Sequence, residues 1–204
     1  MRQIQKTLAF LFGAIASATI NPAYSLPIRV GEPASTGIAS PSASEHKWHI
    51  FKPSEGHFSV LMPSKPKYNS HPANPSSSIN LFVSRWLDAS YAVQYDDRPS
   101  KSIQLLGAEK ILALTRHASL KAFHGTRISE RHLQMNGYPG GEIIIARSLN
   151  RIVIMHDFLV GNRMYRLYVV RFTTNGETPD TDKFLNSFTL IPANSPDENS
   201  EKAL

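Results

Sequence analysis

The chain of 204 residues contains no cysteine. Disulfide staples are excluded by that alone, and so is a lipid anchor on a processed N-terminal cysteine, so stability has to come from an ordinary apolar core. A folded unit of about 145 residues is large enough to build one. Motifs that carry chemistry are also missing. There is no G-x-x-x-x-G-K-[ST] phosphate loop, no G-x-S-x-G nucleophile elbow and no His-Glu-x-x-His zinc helix. With no nucleophile–base pair in view, an enzyme is not expected and hydrolysis is the weakest reading. No internal repeat is present, and no apolar run reaches the ~20 residues that span a bilayer comfortably.

What is present begins with an N-terminus unlike the rest. Arg2 and Lys6 precede an apolar segment, Thr7 to Ile20 (TLAFLFGAIASATI), and Ala23-Tyr24-Ser25 is a small-x-small cleavage site. This order reads as a secretory signal over residues 1–25, cut after Ser25, and predicts an extracytoplasmic chain in a periplasm, a thylakoid lumen or the exterior. The formal charge is +6, from 22 basic and 16 acidic residues; loss of Arg2 and Lys6 leaves 20 against 16, or +4. A mildly basic chain suits an acidic protein partner or peripheral contact with an anionic membrane. Nucleic acid is not an expected partner, because the compartment is wrong and no binding motif occurs.

Residues 26–45 (LPIRVGEPASTGIASPSASE) are rich in Pro, Ser, Gly and Ala without periodicity and read as a flexible linker. The polar residues 193–204 read as a disordered tail. Between them, residues 46–192 form one domain. Strands are predicted at Phe58 to Met62, Ile79 to Leu87 and Ser90 to Tyr95, the last two joined by a turn at Asp88-Ala89. Lys65 to Ser78, with Pro66, Pro72 and Pro75, is expected to be a loop. A helix capped by Ser100 or Ser102 follows, with Ile111, Leu114, Thr115, Ala118 and Ala122 as its apolar stripe and Gly125 as its stop. Strands are then expected at Thr126 to Gln134, Gly141 to Arg147, Arg151 to Val160 and Arg163 to Phe172, the last two joined at Gly161-Asn162. A short helix starting at Thr178-Pro179-Asp180 leads to a last strand, Phe188 to Ile191. Short connections require antiparallel pairing. Met164, Tyr168, Val170 and Phe172 fall on one strand face with Arg166, and Tyr165, Leu167 and Val169 on the other. Both faces are apolar, so both should be covered. The expected fold is α+β: a three-layer α/β/α sandwich with a central antiparallel sheet.

The run NGYPGGEIII, Asn136 to Ile145, has the glycines of an anion cradle, but it leads into a strand and carries Glu142, so it reads as a hairpin connection. His46-x-x-His49 with His57 could gather around a divalent ion, the only cofactor the residues suggest. The competing reading is a set of unrelated surface histidines. His117 and His124, seven apart, read as a charged helix surface. His156 and Asp157 are adjacent on a strand and face opposite ways, so they cannot act as a pair. Asp96-Asp97 reads as a strand-end turn ahead of a cation site. Arg147, Arg151, Arg163 and Arg166, with Arg171, could form a partner-binding patch for an acidic protein or lipid headgroups, or could be strand-end charges that block aggregation. Tyr165, Tyr168, Phe172 and Phe188 are expected in the core.

Four stretches carry a likeness: Gly56 to Pro66 (GHFSVLMPSKP), Asn136 to Glu142 (NGYPGGE), Gly161 to Tyr168 (GNRMYRLY) and Asp182 to Phe188 (DKFLNSF). Through them His46 to Ile191 resembles the PsbP-like family, the extrinsic proteins of photosystem II and their bacterial relatives. The resemblance implies the α/β/α sandwich and a non-catalytic accessory or assembly role through a protein partner, with metal binding proposed in some relatives. In a photosynthetic source it implies photosystem II association. Each stretch marks a turn or a core contact and none marks a reaction. The alternative is a periplasmic carrier of a divalent metal or small ligand.

Overall fold

The computed structural model describes residues 47–74, 77–173 and 179–192. The expected signal peptide 1–25, linker 26–45 and tail 193–204, together with His46, Pro75 and Thr178, lie outside the described residues.

Seven strands form the central sheet. They are β3 (Lys67–Asn74), β4 (Ser77–Trp86), β5 (Ala89–Asp97), β6 (Thr126–Met135), β7 (Tyr138–Arg147), β8 (Arg151–Val160) and β9 (Arg163–Phe172). Their order is β3-β4-β5-β9-β8-β7-β6, and every pairing is antiparallel. A second, small sheet joins β1 (His49–Phe51), β2 (Phe58–Met62) and β10 (Thr189–Leu190). The helices are α1 (Ser100–Leu106), α2 (Ala108–Ala122) and α3 (Pro179–Asn186).

The layering follows from period-two alternation in β5, β8 and β9. Tyr91, Val93, Tyr95, Ile154, Phe158, Tyr165, Leu167 and Val169 face one way and pack with Phe58, Val60 and Met62 of β2 and Phe184 and Leu185 of α3. Ala92, Val153, Met155, Tyr168 and Val170 face the other way and pack with Phe123, at the end of α2. Ile111 and Leu112 of α2 meet Leu159 and Met164 on that side. Both sides of the sheet are therefore closed, and the α/β/α sandwich is observed. Each large side chain removed from water contributes about 2 kcal/mol before entropy is counted, so three apolar clusters, one on the β2 side and two on the α2 side, replace the missing disulfides.

Several local expectations are corrected. Lys67–Asn74 is a strand and not a loop: it pairs with β4 along the edge, where Pro72 needs no second partner for a backbone N–H, and the register shifts between Pro72 and Asn74. The β4–β5 turn is Leu87-Asp88, one residue earlier than expected, because Trp86 pairs with Ala89. The helix is two helices split at Gly107, and neither serine caps the first; Pro99 takes that position. The buried face of α2 is Ile111, Leu112, Thr115, Arg116 and Ser119, while Leu114 is 51% exposed. His124, not Gly125, holds the left-handed backbone after the helix, at φ 50°. Phe172 is only half-buried, at the sheet end.

Candidate functional site

Beneath α2 the register lines up Gln94, Arg166, Asp157 and Gly141 across four neighbouring strands. Cross-strand partners share a face, so one polar row runs through the middle of an apolar side. Arg116 reaches into it from α2. Its Nη1 donates to Asp157 Oδ1 at 2.9 Å and its Nε to Glu130 Oε1 at 2.8 Å. Arg166 donates to Asp96, which also pairs with Arg98 Nε at 2.8 Å. Tyr168 donates to Gln94 at 3.3 Å. Burial pushes the Asp157 carboxyl up to about 6, opposed by Arg116 and Arg166.

The slot for Arg116 is made by Gly141. A Cβ there would lie 2.3 Å from Arg116 Nη1. The motif NGYPGG thus divides in two. Asn136-Gly137, at φ 52° and 81°, is the turn between β6 and β7. Gly140 and Gly141 belong to the strand and make room for neighbours.

A second cluster lies on the opposite face of β7 and β8. Arg131 donates to both oxygens of Glu142, at 2.7 and 3.0 Å, and His156 Nε2 donates to Glu142 Oε2 at 2.8 Å. The His156 hydrogen bond, aided by Arg131 and opposed by burial, holds Glu142 down at about 2. His156 and Asp157 do face opposite ways, each in a separate cluster.

These charges serve the architecture. Asp157 is fully buried, and Glu142 spends its oxygens on Arg131 and His156. What they position is the edge of the sheet. Strand β6 is a ten-residue edge, exposed over nearly its whole length, with a register shift between Arg127 and Ser129. Along it runs an open groove of about 460 Å³ lined by Arg116, Arg127, Ile128, Ser129, Glu130, Arg131 and His132. The side chains of Arg127, Arg131 and His132 are 60%, 64% and 80% exposed, against 29% for Glu130; Arg127 pairs with Glu130, Arg131 with Glu142 and His132 with Glu109 at 3.4 Å. Ile128 is 59% exposed. A strand edge with unused backbone groups, basic side chains and an open groove can accept an extended acidic segment.

The residues singled out from sequence are dispersed. His49 pairs with Met62 and His57 precedes Phe58, the far end of β2, so the two stand about 16 Å apart. Among the described residues no group of three or more His, Asp or Glu side chains could hold a metal ion. Arg147 and Arg151 face each other at one end of the sheet. Arg163 is at the other end, bound through two nitrogens to Asp97 at 2.7 and 3.0 Å. Arg166 is buried beneath α2 and cannot join a surface patch. Sequence reasoning missed Arg116, Arg131 and the β6 groove; ten residues of broken alternation between Thr126 and Met135 were the available signal.

No family model and no curated protein matches the chain. Among solved structures, the cyanobacterial PsbP protein CyanoP from Synechocystis sp. PCC 6803 matches with a TM-score of 0.51 at 14% identity, covering 79% of this chain and 99% of that one. A chain from Bacteroides thetaiotaomicron matches with a TM-score of 0.38 at 12% identity, over 69% of this chain and 47% of that one. At such identities the likeness concerns architecture, and the chain has a PsbP-like fold.

Proposed function

We propose that this chain is an extracytoplasmic, non-catalytic accessory module that binds a protein partner along the β6 edge. The observation that carries this is the open groove along the exposed β6 edge, lined by Arg116, Arg127, Arg131 and His132. The likeness to CyanoP supports it, since that protein has the same architecture. The signal-like N-terminus supports the compartment. Among the described residues no helix is long and apolar enough to cross a membrane. In a photosynthetic source the first partner to test is photosystem II.

Chemical crosslinking in the native compartment, followed by identification of captured proteins, tests the proposal. The expected result is the same partner in repeated trials, attached through residues of β6. Repeated trials with no partner would contradict it.

A further inference from the structure

The two ends of the central sheet differ in where leucine takes a left-handed backbone. At one end the hairpins turn on Asn136-Gly137 and on Gly161, the residue types that tolerate a left-handed backbone. At the other end the turns place Leu87 at φ 48° and Leu149 at φ 61°, the latter followed by Asn150 at φ 52°. Leucine has no local hydrogen bond to offer there, and its Cβ makes the conformation unfavourable. Both side chains are also among the most exposed hydrophobics, at 82% and 78%. Two residues that are wrong for the turn and wrong for water stand at the same end of the sheet, Leu87 in the two-residue connection between Trp86 and Ala89 and Leu149 in the three-residue connection between Arg147 and Arg151. Strain of this kind points toward function.

The register shows that the two tips stand side by side. Leu87 belongs to the β4–β5 turn and Leu149 to the β7–β8 connection, with only β9 between the two hairpins. Three strand spacings separate their centres, about 14 Å.

Behind the tips the charge is basic. Arg147 and Arg151 oppose each other directly across β7 and β8, a like-charge pairing that ordinarily destabilises a sheet. Arg147 Nε donates to Phe123 O, so the end of α2, with exposed Lys121 and His124, lies on the same side. Arg85 and Arg171 add positive charge from β4 and β9, and acids at this end include Asp88 and Asp180, with Asp182 in the same first turn of α3 as Asp180. Isolated apolar tips backed by cations fit an anionic bilayer, where leucines enter the interface and arginines meet headgroup phosphates. A protein surface would call for a continuous apolar patch; among the described residues Leu87 and Leu149 are separate apices on either side of β9.

We infer that the sheet end bearing Leu87 and Leu149 docks on an anionic membrane surface, the leucines inserting and Arg147 and Arg151 binding headgroup phosphates. This docking end is separate from the β6 groove and does not rest on the partner reading.

The experiment is co-sedimentation of the chain from Leu26 onward, without the apolar segment Thr7 to Ile20 that would bind vesicles by itself, with vesicles of phosphatidylcholine alone or with about one-third phosphatidylglycerol. Leu87→Asn, Leu149→Asn and their combination are compared with Arg147→Gln plus Arg151→Gln. Binding to anionic vesicles is expected to weaken about tenfold or more per leucine removed. The arginine pair is expected to remove the preference for the anionic vesicles. Asparagine suits the left-handed turn, so the leucine variants should melt at the same or a higher temperature than the natural chain, which separates docking from folding. Trp86, next to Leu87, should be quenched by brominated lipid. Unchanged binding by the double leucine variant would overturn the inference. So would equal binding to soluble polyglutamate, independent of the leucines, which would assign this end to an acidic protein.

Discussion

Gly141 on β7 and Arg116 on α2 occupy one another's space: a Cβ on the glycine would stand 2.3 Å from the arginine's Nη1. The missing side chain admits the guanidinium to Asp157, and the pair ties the helix to the middle of the sheet. Arg116 then continues outward to Glu130 and forms part of the β6 groove. One buried cation thus links helix, sheet and candidate partner surface.

Gly141→Ala should cost about 3 kcal/mol in chemical denaturation, since Arg116 is flexible but cannot shift without leaving a buried carboxylate unpaired. In an Arg116→Met background the same replacement should cost far less. Equal costs in the two backgrounds would mean that the collision is not what matters, and the cycle reads that coupling directly.

Gly137→Ala and Gly140→Ala should differ. At Gly137 a Cβ meets nothing within 4 Å, so only the φ of 81° opposes alanine, at about 1 kcal/mol. At Gly140 it would lie 2.4 Å from the backbone oxygen of Asp157, which cannot swing away. Thermal melts should rank Gly140→Ala as clearly the more damaging, and the reverse ranking would contradict the packing.

The two carboxylate clusters set opposite pH dependences. Asp157 has its pKa raised from 3.8 to about 6, so the folded state holds a proton that the unfolded chain has lost, and stability from this group falls as pH rises from about 4 to about 6. Glu142 is lowered from 4.5 to about 2, so the unfolded chain binds the extra proton, and stability from this group rises as pH climbs from about 2 to about 4.5. Denaturation across pH should show the upper slope flattened in Asp157→Asn and the lower slope flattened in Glu142→Gln. A variant that leaves its slope intact would refute the assignment for that residue.

Much of the architecture is legible in the residues, for local reasons. Alternation in β9 placed both faces of the sheet, and Gly161-Asn162 marked its hairpin. Edge strand β3 was not legible, because Pro72 and a run of polar residues look like a loop until β4 supplies a partner. The true buried face of α2 was hidden for a different reason. An arginine on a helix reads as solvent-facing, and Arg116 is buried only because Asp157, 41 positions away, meets it. The cluster of Arg131, Glu142 and His156 is likewise a product of register between three strands. The β6 groove has no motif, since its character is the exposure of an edge.

Calorimetric titration of the full-length chain with Zn²⁺, Mn²⁺ and Ca²⁺ separates the module from the carrier. No sub-micromolar site is expected, given the ~16 Å between His49 and His57. A tight site abolished by His46→Ala plus His49→Ala would favour the carrier instead.

The role assigned to the β6 edge is open to direct test by site-specific photocrosslinking in the native compartment. A photoreactive residue is placed at Ile128, in the groove, or at Tyr68, which is 57% exposed on the opposite edge strand. The account predicts one recurring protein adduct from position 128 and none from position 68. An adduct from position 68 alone, or none from either position in repeated trials, would contradict it.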